Sequence, residues 1–269
     1  MEFRTIVDIN APGFRIEPCE EMLFVGSCFA DNIGARFKEE KFRATVNPFG
    51  VMYNPASILH TVERLSLAEP SILGSLRTAF FTLGTNHIYR LKETGEIVDN
   101  CQKRPQSLFT EEELTVDECA NYLQKAIDIL RAANPDIHVV LTVSPIRYRK
   151  YGYHGSQLSK ATLLLATRQV AGASYFPAYE IINDELRDYR FYAEDMLHPS
   201  SQAVEYIWQR LSEVYLSDAA KQFIKEWQPL KAALNHKPFN PESQEYRIFM
   251  DKTMLKIAEL QKKYPNFAV

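Results

Sequence analysis

The chain has 269 residues, 46% apolar, 12% aromatic and 24% charged, the composition of an ordinary globular protein with material for a sizeable core. Its 31 Lys and Arg stand against 34 Asp and Glu, a formal charge of −3, so no basic surplus exists to hold a nucleic-acid backbone or an anionic membrane. No run approaches the roughly 18 apolar residues of a spanning helix, and Met1-Glu2-Phe3-Arg4 leads to Asp8 and Asn10 rather than to an apolar leader, which predicts a cytoplasmic protein with no membrane span.

Met22-Leu23-Phe24-Val25 is a short apolar run stopped by Gly26, and Phe29, Ile33 and Phe37 follow at helical spacing: strand, tight turn, helix. Thr78 to Leu83, stopped by Gly84, and His138 to Val143, stopped by Ser144-Pro145, are apolar enough for strands buried on both faces. Val116, Cys119, Ala120, Leu123, Ile127 and Leu130 form one helical stripe. Val204, Ile207, Trp208, Leu211 and Tyr215, opening after Pro199-Ser200-Ser201, form another. Strands alternating with helices predict an α/β fold with a parallel sheet covered on both faces, and such sheets bind ligands outside the carboxyl ends of their strands. No repeat or linker divides the chain, so one domain over 1–269 is expected. Strand signals cease after about residue 218, and Ile248, Leu255 and Ala258 suggest a final amphipathic helix, which makes 219–269 a helical C-terminal extension packed on the rest.

Cys19, Cys28, Cys101 and Cys119 contain no C-x-x-C pair, and His60, His87, His138, His154 and His236 no H-x-x-x-H pair, so neither a zinc site nor a catalytic metal is expected. A core of this size needs no disulfide staples.

Two short segments can carry chemistry. Gly26-Ser27-Cys28 lies between a buried strand and a helix, where backbone N–H groups and the positive helix end converge and lower the pKa of a thiol. The plain alternative is a small buried cysteine. Near the other end, Asp195-Met196-Leu197-His198 places a carboxylate three residues before an imidazole, close enough to hold Nδ1–H while Nε2 takes a proton. The plain alternative there is Asp195 as the cap of the following helix. Past the His138 strand, the basic and aromatic stretch from Arg147 to His154 offers donors and rings for a carboxylate or a sugar, or is a solvated loop.

The string Gly26-Ser27-Cys28-Phe29-Ala30 resembles the signature of the GSCFA family, a branch of the GDSL/SGNH hydrolase superfamily. The resemblance extends through Asn47-Pro48-Phe49-Gly50, Tyr53-Asn54-Pro55, Thr82-Leu83-Gly84-Thr85, Thr142-Val143-Ser144-Pro145-Ile146-Arg147 and Leu158-Ser159-Lys160. It continues through Tyr175-Phe176-Pro177 and Leu186-Arg187-Asp188-Tyr189 to Asp195-Met196-Leu197-His198-Pro199, and so covers most of the chain. It implies a flavodoxin-like three-layer sandwich, the SGNH hydrolase fold, and roles by position. Cys28 stands where the superfamily has its nucleophilic serine, and Ser27 where it has aspartate, so either Cys28 attacks or the turn has shifted and Ser27 does. Gly50 and Asn86 stand at the oxyanion-hole blocks, with a plain turn as the alternative for each. Asp195 and His198 complete the site, and Arg147, from the loop reading above, is the candidate for binding substrate. The implied activity is hydrolysis or transfer of a small acyl group, by analogy O-acetyl, from a small-molecule or glycan ester without a cofactor. The alternative is a non-catalytic module that binds an acylated ligand or glycan on a degenerate scaffold. Substrate and oligomeric state are not legible.

Overall fold

The computed structural model describes residues 4–267. Its central sheet has strands β1 (Glu21–Gly26), β2 (Arg43–Val46), β3 (Thr78–Leu83), β7 (His138–Val143) and β8 (Ala173–Tyr175), all parallel, in the order β2-β1-β3-β7-β8. The first strand runs beside the third, so the strand order reverses there; this is the flavodoxin-like doubly wound order, and the crevice at its reversal is where such sheets place ligands. A second, antiparallel sheet orders β5 (Ile97–Val98), β4 (His87–Leu91) and β6 (Phe109–Glu113).

Strand side chains alternate between faces, and the residues divide accordingly. Leu23, Val25, Ala79, Phe81, Val139 and Leu141 pack on one side with helices α2 (Pro55–Ala68), α3 (Pro70–Ser75), α4 (Val116–Ala133) and α5 (Gly152–Gln169). Met22, Phe24, Phe80 and Val140 pack on the other with α1 (Cys28–Glu39), the short α6 (Ala178–Glu180) with the π-helical turn Ile181–Leu186 that continues it, and α7 (Ser201–Tyr215). The expected three-layer α/β sandwich is what forms. The Val116 stripe starts with a full capping box between Thr115 and Glu118, which satisfies two orphan donors at once.

The C-terminal helices α8 (Asp218–Leu234) and α9 (Gln244–Lys263) enclose a small core of their own, Phe223, Trp227, Leu230, Ile257, Leu260 and Phe267, joined by Cys19. They dock on the end of α1: the Trp227 indole N–H donates to Glu39 O at 3.0 Å, and Lys231 pairs with Glu40 at 2.9 Å. The face of α9 differs from the expected one. Ile248 and Leu255 are exposed, and Thr253, Ile257 and Leu260, spaced four and then three residues apart, carry the contact, because α8 meets that side of the helix. Among the described residues no helix is long and apolar enough to cross a membrane.

Candidate active site

The ends of β1 and β3 build the first half of the site. Gly26 has φ +150°, and a Cβ there would lie 2.2 Å from Thr82 O, so only glycine lets the two strand ends come this close. Ser27 then caps α1, its buried Oγ accepting from Phe29 N at 3.3 Å. Cys28 is the first residue of the helix and is half-buried. Its own N–H, as the first of the helix, has no intrahelical partner.

The position at the helix end predicts a lowered thiol pKa, but the thiol is pushed up. Burial raises it most and the Asp31 carboxylate adds to that, outweighing the backbone N–H groups of Cys28 and Phe29 and the charge of Lys160. Asp31 is held in place by Asn47, whose Nδ2 donates to Asp31 Oδ1 at 2.7 Å while its Oδ1 accepts from Gly26 N at 2.9 Å. Asn47 therefore ties the Cys28 turn to the first turn of α1, and it adopts a left-handed φ of 40° to do so.

Beneath Cys28 lies Lys160, on α5 and 1% exposed. Its ammonium donates to Gly84 O at 2.6 Å and Ser144 O at 2.8 Å, the first residues beyond the ends of β3 and β7. The Tyr148 ring lies 5.1 Å away. Among the described residues Lys160 forms no ion pair, and burial lowers its pKa from 10.5 to about 7, with the Cys28 charge opposing. The Tyr148 hydroxyl is buried with no partner among the described residues, and burial, with the Cys28 charge next, holds it well above the ordinary phenol range, so it stays protonated. It approaches Gly84 so closely that a Cβ there would lie 2.5 Å from it.

The second half is the loop before α7. Asp195 Oδ1 accepts from Leu197 N at 2.9 Å and His198 N at 3.0 Å, and Oδ2 meets His198 Nδ1 at 2.5 Å. Backbone N–H groups at His198 and Leu197, then the imidazole, bring the carboxyl from 3.8 down to about 2. Asp195 does not cap α7; Ser200 does, its Oγ accepting from Ala203 N. Both members of the pair are 44% exposed. Arg147 fastens this loop, its N donating to Leu197 O and its Nη1 to Met196 O, each at 3.0 Å.

Asp195 and His198 are thus brought together, and Cys28 is gathered with Asp31, Tyr53, Tyr148 and Lys160. Among the described residues no hydrogen bond joins His198 to Cys28 or Ser27. Gly50 N and Asn86 Nδ2 are both engaged within the fold. Gly50 N donates to Asn47 O at 2.8 Å, closing a turn, and Asn86 Nδ2 donates to Leu114 O at 2.8 Å in a buried joint between the two sheets. The stretch from Arg147 is only partly loop, because α5 already begins at Gly152. Lys160 is the functional candidate that residue reading alone passed over. The signal was present: Lys160 falls on the buried stripe Ser156, Ser159, Leu163 and Ala166, where a lysine is out of place.

No curated protein matches the chain in sequence. Solved structures give remote likenesses. One is a carbohydrate esterase of family 3 from Talaromyces cellulolyticus, 11% identical over 77% of this chain and 99% of that one, TM-score 0.42. Another is a protein described as a GDSL-like lipase from Parabacteroides merdae, 13% identical over 76% and 100%, TM-score 0.45. A third is a catalytic mutant of an acetylxylan esterase from Geobacillus stearothermophilus, 11% identical over 76% and 98%, TM-score 0.44. With every score below 0.5, what those proteins act on says nothing about this chain. In sequence, residues 21–72 and 68–211 match the GSCFA family and residues 227–269 match the C-terminal domain of GSCFA domain proteins, so the chain belongs to the GSCFA family.

Proposed function

We propose that the chain hydrolyses or transfers a small acyl group from an ester, with Cys28 as nucleophile and His198 and Asp195 as its base and orienter. The observation that carries this is the adjacency of Arg147 and Tyr148. Consecutive Cα atoms lie about 3.8 Å apart, and here one residue bonds the His198 loop while the other faces Cys28, so both halves of the site share one stretch of backbone at the carboxyl edge of the sheet. Of the two candidate nucleophiles, Ser27 is fully buried and occupied as a helix cap, which favours Cys28.

A thiol held up by burial attacks only as a base removes its proton. In the proposed step Cys28 Sγ attacks the ester carbonyl as its proton passes to His198 Nε2, and the Lys160 ammonium offsets the charge on sulfur. The Cys28 N–H and the Tyr148 O–H donate to the oxyanion, with Tyr148 in the place expected of Gly50 and Asn86. The tetrahedral centre expels the alcohol, which takes the proton from His198. A thioester remains on Cys28, to be passed to water or to another acceptor. Catalytic hydrogen bonds are often long in a substrate-free site and tighten on binding. The missing His198–Cys28 bond is also the observation that favours the second reading, a site that binds an acylated ligand without turnover. Reaction with p-nitrophenyl acetate separates the two: a burst of p-nitrophenol stoichiometric with protein, absent in Cys28→Ala, is expected of the enzyme, and no burst in either is the result for a binder.

A further inference from the structure

A second feature borders the His198 loop and has no part in the proton transfers above. Between the start of α5 and the π-helical turn after α6 lies a cavity of about 210 Å³, with Arg147, Arg187, Asn183, Gln157 and Tyr189 among its walls. Sites for drug-sized ligands run to roughly 300–1,000 Å³, so this one fits a single ring or one substituent of a larger molecule.

Its charge is unbalanced. Among the described residues neither Arg147 nor Arg187 forms an ion pair, and the one carboxylate in the walls, Asp188, is already held by Arg190 at 2.9 Å. The Arg147 guanidinium lies over the rings of Tyr153, Tyr192 and Tyr189 at 4.4, 5.4 and 5.8 Å, and its Nη1 bond to Met196 O fixes the fork, while among the described residues its other donors have no hydrogen-bond partner. Arg187 is carried on a left-handed residue, φ 42°, where the π-helical turn ends and its N–H returns to Ile182 O. π-turns are rare and recur at functional sites, and a non-glycine residue held left-handed is in a strained conformation that the surrounding fold must offset. Tyr189 is 67% exposed and offers a flat apolar face beside the two arginines.

We propose that this cavity is a subsite for an oxyanion group of the substrate, a carboxylate or a phosphate monoester borne on a sugar-sized ring, bound by Arg147 and Arg187 with the ring against Tyr189. Planar guanidinium forks match the paired oxygens of either group, and the neutral walls of Asn183 and Gln157 suit the ring hydroxyls. Because Arg147 also anchors the His198 loop, an anion drawn to it holds the ester beside His198. That last step rests on the acyl-transfer reading; binding itself does not.

The test is calorimetric titration of the full chain with glucuronate, glucose 6-phosphate and glucose. At least one anionic sugar is expected to bind about tenfold or more tightly than glucose, and which one identifies the oxyanion. Arg187→Gln and Arg147→Lys should each weaken that binding about tenfold, the second keeping the charge but losing the fork. Arg247→Gln, the same loss of charge on α9, should leave it unchanged. Equal binding of glucose, no binding of either anionic sugar, or arginine variants with full affinity would overturn the proposal. Cys28→Ala should bind as the parent does, so a chain that binds but never forms an acyl-enzyme refutes the catalytic reading and not this one.

Discussion

Replacing Asp195 by Asn tests the base with the least disturbance of the loop. Oδ1 accepts two backbone N–H groups, from Leu197 and His198, and Oδ2 faces His198 Nδ1. An asparagine can keep both backbone bonds only by placing its oxygen at the Oδ1 position, which puts its NH2 against Nδ1. Two donors cannot face each other, so Nδ1 gives up its proton and the ring carries it on Nε2, the atom that must accept the proton of Cys28. The same exchange in a Ser-His-Asp triad costs about 10,000-fold in turnover, or about 5 kcal/mol of transition-state stabilisation. The assay is single-turnover acylation by p-nitrophenyl acetate beside a thermal melt. The melt should barely move, because the pair is exposed. An acylation rate within about threefold of the parent, with the fold intact, would refute His198 as the base, since a wrong tautomer cannot be that mild.

Three further outcomes follow from the same geometry. Lys160 titrates at about 7 in the fold against 10.5 ordinarily, so its burial costs stability fully below pH 7 and the cost fades as pH rises toward 10.5. The stability difference Lys160→Met minus parent, from denaturant melts at pH 6 and 10, should therefore favour the variant more at pH 6, by a margin on the order of a few kcal/mol; no change with pH would contradict a buried ammonium. Tyr148→Phe removes only the unpartnered hydroxyl and should slow acylation about 100- to 1,000-fold without loss of stability, whereas an unchanged rate excludes it as an oxyanion donor. Trp227→Ala should destabilise the fold by about 3–5 kcal/mol in a thermal or urea melt, because it empties the α8–α9 core and breaks the bond to Glu39; a loss under about 1 kcal/mol would mean that these helices are not docked on α1.

The elements legible in the sequence are those buried on two faces or on one long stripe. Strands β3 and β7 are legible to the residue because both faces are covered and every position after His138 in β7, and every position of β3, is apolar or small. The edge strands β2 and β8 are short and half-buried, and β6 carries Glu111, Glu112 and Glu113, so none of them has the apolar signal of a strand. In the site, Asp195 and His198 could be paired by spacing alone because one turn of chain brings them together. Gly50 and Asn86 could not be judged that way, since their donors go to partners fixed by neighbouring turns and by the joint between the sheets. The direction of the thiol pKa is not legible for a related reason: a helix end is local, but the burial and the Asp31 carboxylate that outweigh it come with the closed fold. Asn47 and Lys160 lie within the segments that carry the family resemblance and Tyr148 within the aromatic stretch after Arg147, yet only the closed fold gives them work to do.

The most direct test of the central claim is mass spectrometry of the intact chain and its peptides after brief exposure to an activated acetyl ester, with His198→Ala alongside. A single acetyl group mapped to Cys28 in the parent and lost in His198→Ala is the predicted result. Labelling at Ser27, labelling that ignores His198, or no labelling at either residue would contradict it.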